Sequence, residues 1–331
     1  MPAAAPSDMN AAIRGQHGLE FARVARPVPG ADDVLVRVRA VALNRADLGV
    51  LAGGLHGGIG GPGTVLGMEW AGEVVEVGER VTGHAPGDRV MGFGAGAFAE
   101  YVACDRGRVL PVPAGIDDTQ AATLPVALLT MHDALVTNGR LQRGQSVLVQ
   151  GASSGVGLMA LQIARHLGAA TVIGSSTHAQ RRARLHEFGA DLAIDTTDPA
   201  WPARVLEATG GQGVDLVIDQ LSGASVNGSL AATRVRGRIV NVGRLAGMKG
   251  EFDFDLHALR RIDYVGVTFR TRSADEVREI RRRMWDDLSP AVADRTLSLP
   301  IAATFPFERL GEAFAMMRAN LHFGKIVVAV G

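Results

Sequence analysis

Residues 147–169, VLVQGASSGVGLMALQIARHLGA, constrain this chain more than any other stretch. A short apolar strand runs into a turn of small residues, and a helix opens with no bulky side chain in its first turn. Such a turn lets backbone amides and the helix N-terminus approach a pyrophosphate, because unsatisfied N–H groups and the helix dipole favour negative charge. Against G-x-G-x-x-G, Ala152 stands at the first glycine, Ser154 at the second and Gly157 at the third, with Gly155 beside it. The match is imperfect; its weight comes from the strand–turn–helix–strand setting. A dinucleotide's phosphates are expected at Ser153, Ser154, Gly155 and Val156.

A rival reading uses the same residues. Gly151-Ala152-Ser153-Ser154-Gly155 also fits G-x-S-x-G, the nucleophile elbow of serine hydrolases, with Ser153 as nucleophile. His56-Gly57-Gly58 looks like an oxyanion-hole motif, and Asp219 with His257 or His322 would complete a triad. Against it, the segment holding His56 lies outside the α/β pattern in which a hydrolase would need it. A tight turn without a ligand is the third reading.

Before residue 113 or so the pattern is short and strand-like. Residues 34–41 (VLVRVRAV) alternate apolar and charged, as a half-buried strand does, and residues 73–77 and 97–102 repeat the habit. Residues 51–67, nearly half glycine, read as a mobile loop. Near Thr119 helix begins and βα alternation follows: strands over 147–149, 171–174, 214–219 and 238–242, helices over 156–167 and 180–188. Such alternation means a parallel sheet with helices on both faces. After Val267 it stops; residues 274–288 read as a charged helix and 297–331 as strand, helix, strand. The expectation is a β-rich domain over 1–122, a doubly wound domain over 123–267, and a return to the first domain over 268–331.

Composition removes several classes of function. Lys and Arg number 34 against 34 Asp and Glu, so no basic surplus points to nucleic acid or an anionic membrane. A lone cysteine, Cys104, excludes an intramolecular disulfide, a zinc ribbon and a multi-thiolate cluster, and fits a reducing, cytoplasmic setting. No apolar run reaches membrane-spanning length, and residues 1–10 lack the features of a signal peptide; residues 2–8 read as a disordered tail. The strand after the glycine turn ends Gly174-Ser175-Ser176-Thr177, with Arg181 and Arg182 close behind. An NAD site usually ends that strand in a carboxylate for the ribose hydroxyls. Hydroxyls with the Arg181 guanidinium suit the 2′-phosphate of NADPH instead.

Assembled, these residues resemble the medium-chain dehydrogenase/reductase superfamily, in its zinc-independent quinone oxidoreductase (zeta-crystallin-like) branch. The resemblance runs over nearly the whole chain. It rests on Asn44-Arg45-Ala46-Asp47-Leu48, Gly67-Met68-Glu69, residues 96–101 (GAFAEY), 122–125 (ATLP), the glycine turn, 214–219 (VDLVID), 237–243 (GRIVNVG) and 324–327 (GKIV), in the family's order. It implies a GroES-like catalytic domain and a Rossmann cofactor domain with a cleft between them. A homodimer joined edge to edge near Tyr264–Thr268 is implied as well.

The resemblance also places residues. Asn44 stands where zinc relatives carry a catalytic Cys, and Met68 where they carry a ligand His, so no metal is expected. Asn44 falls near the nicotinamide ribose and the substrate, Thr130 near the carboxamide, and Val242, Gly243, Val267 and Phe269 around the nicotinamide. His56 aligns with a Tyr that many relatives use as proton donor; as imidazolium it would serve near neutral pH. Thr196 departs from a Tyr that relatives carry over the adenosine. Asp47 and Glu69 read as supports in the cleft wall, and Cys104 as packing. The implied activity is NADPH-dependent, flavin-free hydride transfer to a quinone or another conjugated carbonyl, an alkenal, enone or enoyl thioester among them. A non-catalytic NADPH-binding protein is the remaining alternative.

Overall fold

The computed structural model describes residues 7–57 and 59–331. Residues 2–6 of the expected tail lie outside the described residues, as does Gly58. Asp8, the tail's last residue, instead opens a strand. The chain forms two compact units: residues up to Val126 together with Phe269–Gly331, and Ala127–Thr268.

The first unit begins with an antiparallel hairpin of β1 (Asp8–Arg14) and β2 (Leu19–Ala25). Then come β3 (Asp33–Ala42), β4 (Glu69–Val77), β5 (Arg89–Phe93), β6 (Tyr101–Asp105) and β7 (Val109–Pro111). The alternating 34–41 segment is β3, but it is more buried than alternation implies. Val34, Val36 and Val38 enter the main core, while Leu35 points the other way into a small cluster with Met9, Ala11, Ala99 and Tyr101. The strand expected over 97–102 starts at Tyr101 instead. Ahead of it the chain crosses over, with Phe98 bonded through its N–H to Leu66 and through its carbonyl to Ala12.

The second unit carries β8 (Ser146–Val149), β9 (Thr171–Ser175), β10 (Leu192–Ile194), β11 (Val214–Asp219), β12 (Thr233–Asn241) and β13 (Asp263–Gly266). All pair in parallel, in the order β10-β9-β8-β11-β12-β13. Counted from β8, that is the 3-2-1-4-5-6 order of the Rossmann fold, with its switch point between β8 and β11. The helix expected over 180–188 breaks: Ala179–Ala183 is α-helical, and Leu185–Phe188 is a 3-10 turn ended by Gly189 at φ 98°. β13 is the sheet's edge, and Val267 and Phe269 lie beyond its end rather than on it.

After the helix Ala274–Ala293, β14 (Ile301–Pro306) and β15 (Lys325–Ala329) return to the first unit's sheet, ordered β14-β15-β3-β4-β5-β7 with β6 also on β3. The helix Leu310–Arg318 between them caps the core. Its Phe314 lies edge-on to Phe98 at 5.9 Å, both fully buried with Trp70 nearby in the same cluster. No helix among the described residues is long and apolar enough to cross a membrane. Phe314→Ala removes a buried ring that cannot be replaced by collapse of a β-sheet core. The expected cost is about 3–5 kcal/mol, read as a lower urea midpoint; an unchanged midpoint would show that the C-terminal helix does not hold this core.

Candidate active site

The glycine turn is braced from behind. Ser175, at the end of β9, is buried; its hydroxyl donates to Gln150 Oε1 (2.6 Å) and accepts from the Gly151 N–H (2.9 Å). Gln220 donates to the Gln150 carbonyl (3.0 Å) and accepts from Ser154 Oγ (3.1 Å). Gly151 sits at φ 69°, a left-handed conformation that favours glycine. A Cβ on Gly157 would come within 2.7 Å of Ala152 backbone atoms, so only glycine lets the helix start this close to the strand. Ser154 caps the helix Gly155–His166, accepting from the Gly157 N–H at 3.1 Å. The N–H groups of Gly155 and Val156 have no acceptor within the helix, and Ser153, Gly155 and Val156 are half-buried. The brace and cap hold these N–H groups in place, so the residues fit the phosphates of a dinucleotide.

One of the expected 2′-phosphate contacts, Ser175, changes. Both hydroxyl functions of Ser175 are engaged in the brace, so this residue shapes the turn and offers nothing to a phosphate. Arg182 is tied to the Ser176 carbonyl (2.8 Å) and to Asp195 (2.8 Å). Ser176 pairs through its hydroxyl with Ser153 (3.0 Å), and Arg181, on the same short helix as Arg182, is half-buried. The hydrolase reading fares worse. Ser153 meets the Ser176 hydroxyl, and Asp219 Oδ1 accepts from the amides of Leu221 (2.8 Å) and Ser222 (3.0 Å). His257 packs against Phe252, so no nucleophile–base pair forms there among the described residues. Val242 and Gly243 cross the end of β11, both donating to the Asp219 carbonyl, and Thr130 is half-buried on the helix Pro125–His132.

The first unit builds a second polar centre around Asn44, just before the helix Arg45–Leu51. Lys325 Nζ, at the start of β15, donates to Glu69 Oε2 (2.6 Å) and to Asn44 Oδ1 (3.0 Å). Asn44 Nδ2 donates to the same Glu69 oxygen (3.0 Å), and Glu69 Oε1 accepts from the Val126 N–H (2.7 Å). Asp47 Oδ2 accepts from the Asn44 N–H (2.7 Å), while its Oδ1 is buried without a partner. Asp47, Glu69 and Lys325 are all buried; Asn44 alone is half-exposed. Burial pushes the Asp47 carboxyl up to about 7, helped by nearby Glu69 and opposed by the Asn44 amide and Lys325. Sequence reasoning misses Lys325 as a site residue. A signal exists: it is one of two lysines in a chain whose other basic residues are Arg, and it heads an apolar strand.

His56 is half-buried and exchanges both backbone hydrogen bonds with Ile59. Desolvation, with the Arg270 charge, holds its imidazole below the ordinary range. At neutral pH the ring is therefore neutral, not the imidazolium that a proton-donor role calls for. Cys104 is buried in β6 and burial drives its thiol far upward, the state of an unreactive packed sulfur.

Known protein families share this architecture. Residues 30–114 match the alcohol dehydrogenase GroES-like domain, and residues 155–286 match the zinc-binding dehydrogenase family. An alcohol dehydrogenase superfamily protein from Novosphingobium aromaticivorans is 30% identical, with 98% of this chain and all of that one covered at a TM-score of 0.87. The chain belongs to the medium-chain dehydrogenase/reductase superfamily. Its two units are the GroES-like and Rossmann parts of that fold, and it is a nicotinamide-dependent oxidoreductase. The mycobacterial protein Rv1454c, solved in complex with NADPH, is 26% identical over 97% of this chain and 99% of its own, with a TM-score of 0.85. A phenolphthiocerol/phthiocerol polyketide synthase of Mycobacterium tuberculosis is 30% identical over 312 residues, 94% of this chain; the chain spans 14% of that protein's length.

The zinc in one family's description does not suit the residues here. Around Asn44 the donors are an amide and a carboxylate whose oxygens already serve Lys325, Asn44 and the Val126 amide. An ammonium 2.6 Å from that carboxylate opposes a divalent cation, and Met68 replaces the imidazole.

The raised Asp47 carboxyl has a consequence for stability. Between the ordinary value of 3.8 and about 7 the folded state keeps a proton that the unfolded chain has lost. Stability is therefore greatest below that window and falls as pH rises through it, by roughly 4 kcal/mol in all. Asp47→Asn keeps an acceptor for the Asn44 N–H and carries no charge. Relative to wild type, its melting temperature should gain steadily from pH 4 to 7.5; parallel curves for the two proteins would refute the assignment.

Proposed function

We propose that this protein is an NADPH-dependent, metal- and flavin-free reductase of the quinone-reductase type, delivering hydride to the electrophilic carbon of a conjugated carbonyl. One observation carries the reading. The turn is braced for a dinucleotide pyrophosphate, and the strand behind it ends in hydroxyl side chains, where a carboxylate would repel a 2′-phosphate. Support for NADPH also comes from the likeness to the mycobacterial protein solved with that cofactor. NADPH, when bound, supplies the hydride. Ser153, Ser154, Gly155 and Val156 hold its phosphates, and Ser176 and Arg181 receive the 2′-phosphate. Thr130, Val242, Gly243, Val267 and Phe269 border the nicotinamide. Asn44 donates a hydrogen bond to the oxygen on which charge builds, in place of a metal. Water supplies the proton, since His56 is neutral at neutral pH. A second reading, an enoyl-thioester reductase, is favoured by the likeness to a polyketide synthase, a class of enzyme whose products grow as thioesters.

The test follows nicotinamide absorbance with NADPH and with NADH against a small quinone, a 2-alkenal, a cyclic enone and an enoyl thioester. NADPH oxidation on at least one acceptor is expected, and the preferred acceptor separates the two readings. Arg181→Ala should weaken NADPH binding by about tenfold or more while leaving NADH nearly unchanged; equal losses would overturn the cofactor assignment.

We further propose a homodimer formed through β13. This strand is an unpaired edge with Tyr264 exposed, and Leu245, Met248, Phe254 and Leu259 are exposed in the same unit. Light scattering should give twice the chain mass, falling to one chain in Gly266→Pro, which removes an N–H on the side of β13 turned away from β12. A monomeric wild type would dismiss the dimer.

A further inference from the structure

We propose that Lys325 and Glu69 are positioning residues that lock the Asn44 side-chain amide in one orientation, so that it presents an N–H donor outward in a fixed direction. This rests on the reading that Asn44 faces the reacting oxygen, and it adds which residues set that amide and how.

Oxygen and nitrogen of an Asn side chain have nearly the same shape, so partners decide which is which. Here the partners leave one answer. Lys325 Nζ can only donate, which requires Oδ1 at 3.0 Å from it. Glu69 Oε2 can only accept, which requires Nδ2 at 3.0 Å from it. A flipped amide would set an N–H against an ammonium and an oxygen against a carboxylate at once. Asn44's backbone is held separately, its N–H donating to Asp47 Oδ2 at 2.7 Å. One Nδ2 hydrogen goes to Glu69; among the described residues the other has only the Ala42 carbonyl at 3.5 Å, a poor contact that leaves it for a ligand.

The cost of the arrangement points the same way. Three ionisable side chains from three elements are buried here, and each directs a hydrogen bond at the one residue of the group that reaches solvent. Apolar residues of similar volume would stabilise the fold at least as well as a buried ion pair. What the charged residues provide, and apolar ones would not, is direction: a donor aimed before the substrate arrives, whose alignment costs nothing at the moment of reaction.

Lys325→Met and Glu69→Gln are made together, so that neither charge is left buried alone, and compared with Asn44→Ala and with the triple variant. The first readout needs no substrate. In wild type the Asn44 side-chain amide, identified in a ¹H–¹⁵N spectrum by its loss in Asn44→Ala, should give two well-separated proton signals that exchange slowly with solvent. In the folded double variant they should move to the positions and exchange rates of an exposed amide. The second readout is kinetic: the double variant and Asn44→Ala should each lose about 100-fold in kcat with KM within a few-fold, and the triple variant should lose no more than either. Lys325→Arg, which keeps a donor, should recover part of the loss. Unchanged amide signals in a folded double variant, wild-type kcat in it, or losses that multiply in the triple variant would each overturn the lock. If none of the four acceptors drives NADPH oxidation by wild type, the functional reading fails, and the amide spectrum alone decides the lock.

Discussion

A buried ammonium is tolerable only when its charge is answered within hydrogen-bond reach, and much of the first unit is arranged to answer that of Lys325. Its partner, Glu69, begins β4; the other acceptor, Asn44, follows β3; and Glu69's second oxygen reaches the amide of Val126. Four separate stretches of chain are thus registered on one another by a cluster a few ångströms across. Strand pairing alone would not do this, because β15 and β4 flank β3 without pairing with each other, and neither Asn44 nor Val126 belongs to a strand.

The other unit solves a different problem, holding a glycine turn open. Its solution is neutral. Ser175, Gln150 and Gln220 give the turn hydroxyl and amide partners from the strands on either side, at β9 and β11. Neutral partners suit a place that must accept phosphate charge, where a carboxylate would repel it.

Much of this is legible in the sequence, and the exceptions have physical causes. β8, β11 and the helix after the turn are local features, so pattern and small-residue chemistry locate them closely. The hydroxyl of Ser175 reads as a cofactor contact because an exposed strand end and a buried one look alike along the chain; the Gln150 side chain that claims it lies on the neighbouring strand. The helix over 180–188 continues on paper because periodicity does not register the left-handed turn at Gly189 or the fold of residues 185–188 onto the sheet. His56 carries a charge in its ordinary titration range, and it takes burial and the Arg270 side chain, more than two hundred residues away, to remove it. Lys325 is the largest omission. Its meaning depends on Glu69 and Asn44, neither of them near it in sequence.

The pairing of β15 with β3 has a consequence for the order of events during synthesis. Val41 lies opposite Val328, and everything between Ala127 and Thr268 belongs to a unit with its own sheet and core. A chain emerging from the ribosome can complete that inserted unit while the first unit still lacks two strands of its sheet and the cation for Glu69. Closing that sheet is a contact between residues nearly three hundred positions apart, slow by its topology and possible only once residues 325–329 have been made. Until then the apolar face of β3 and a buried-to-be carboxylate stand open. Through that interval the first unit is the part of the chain most exposed to aggregation, until β15 arrives.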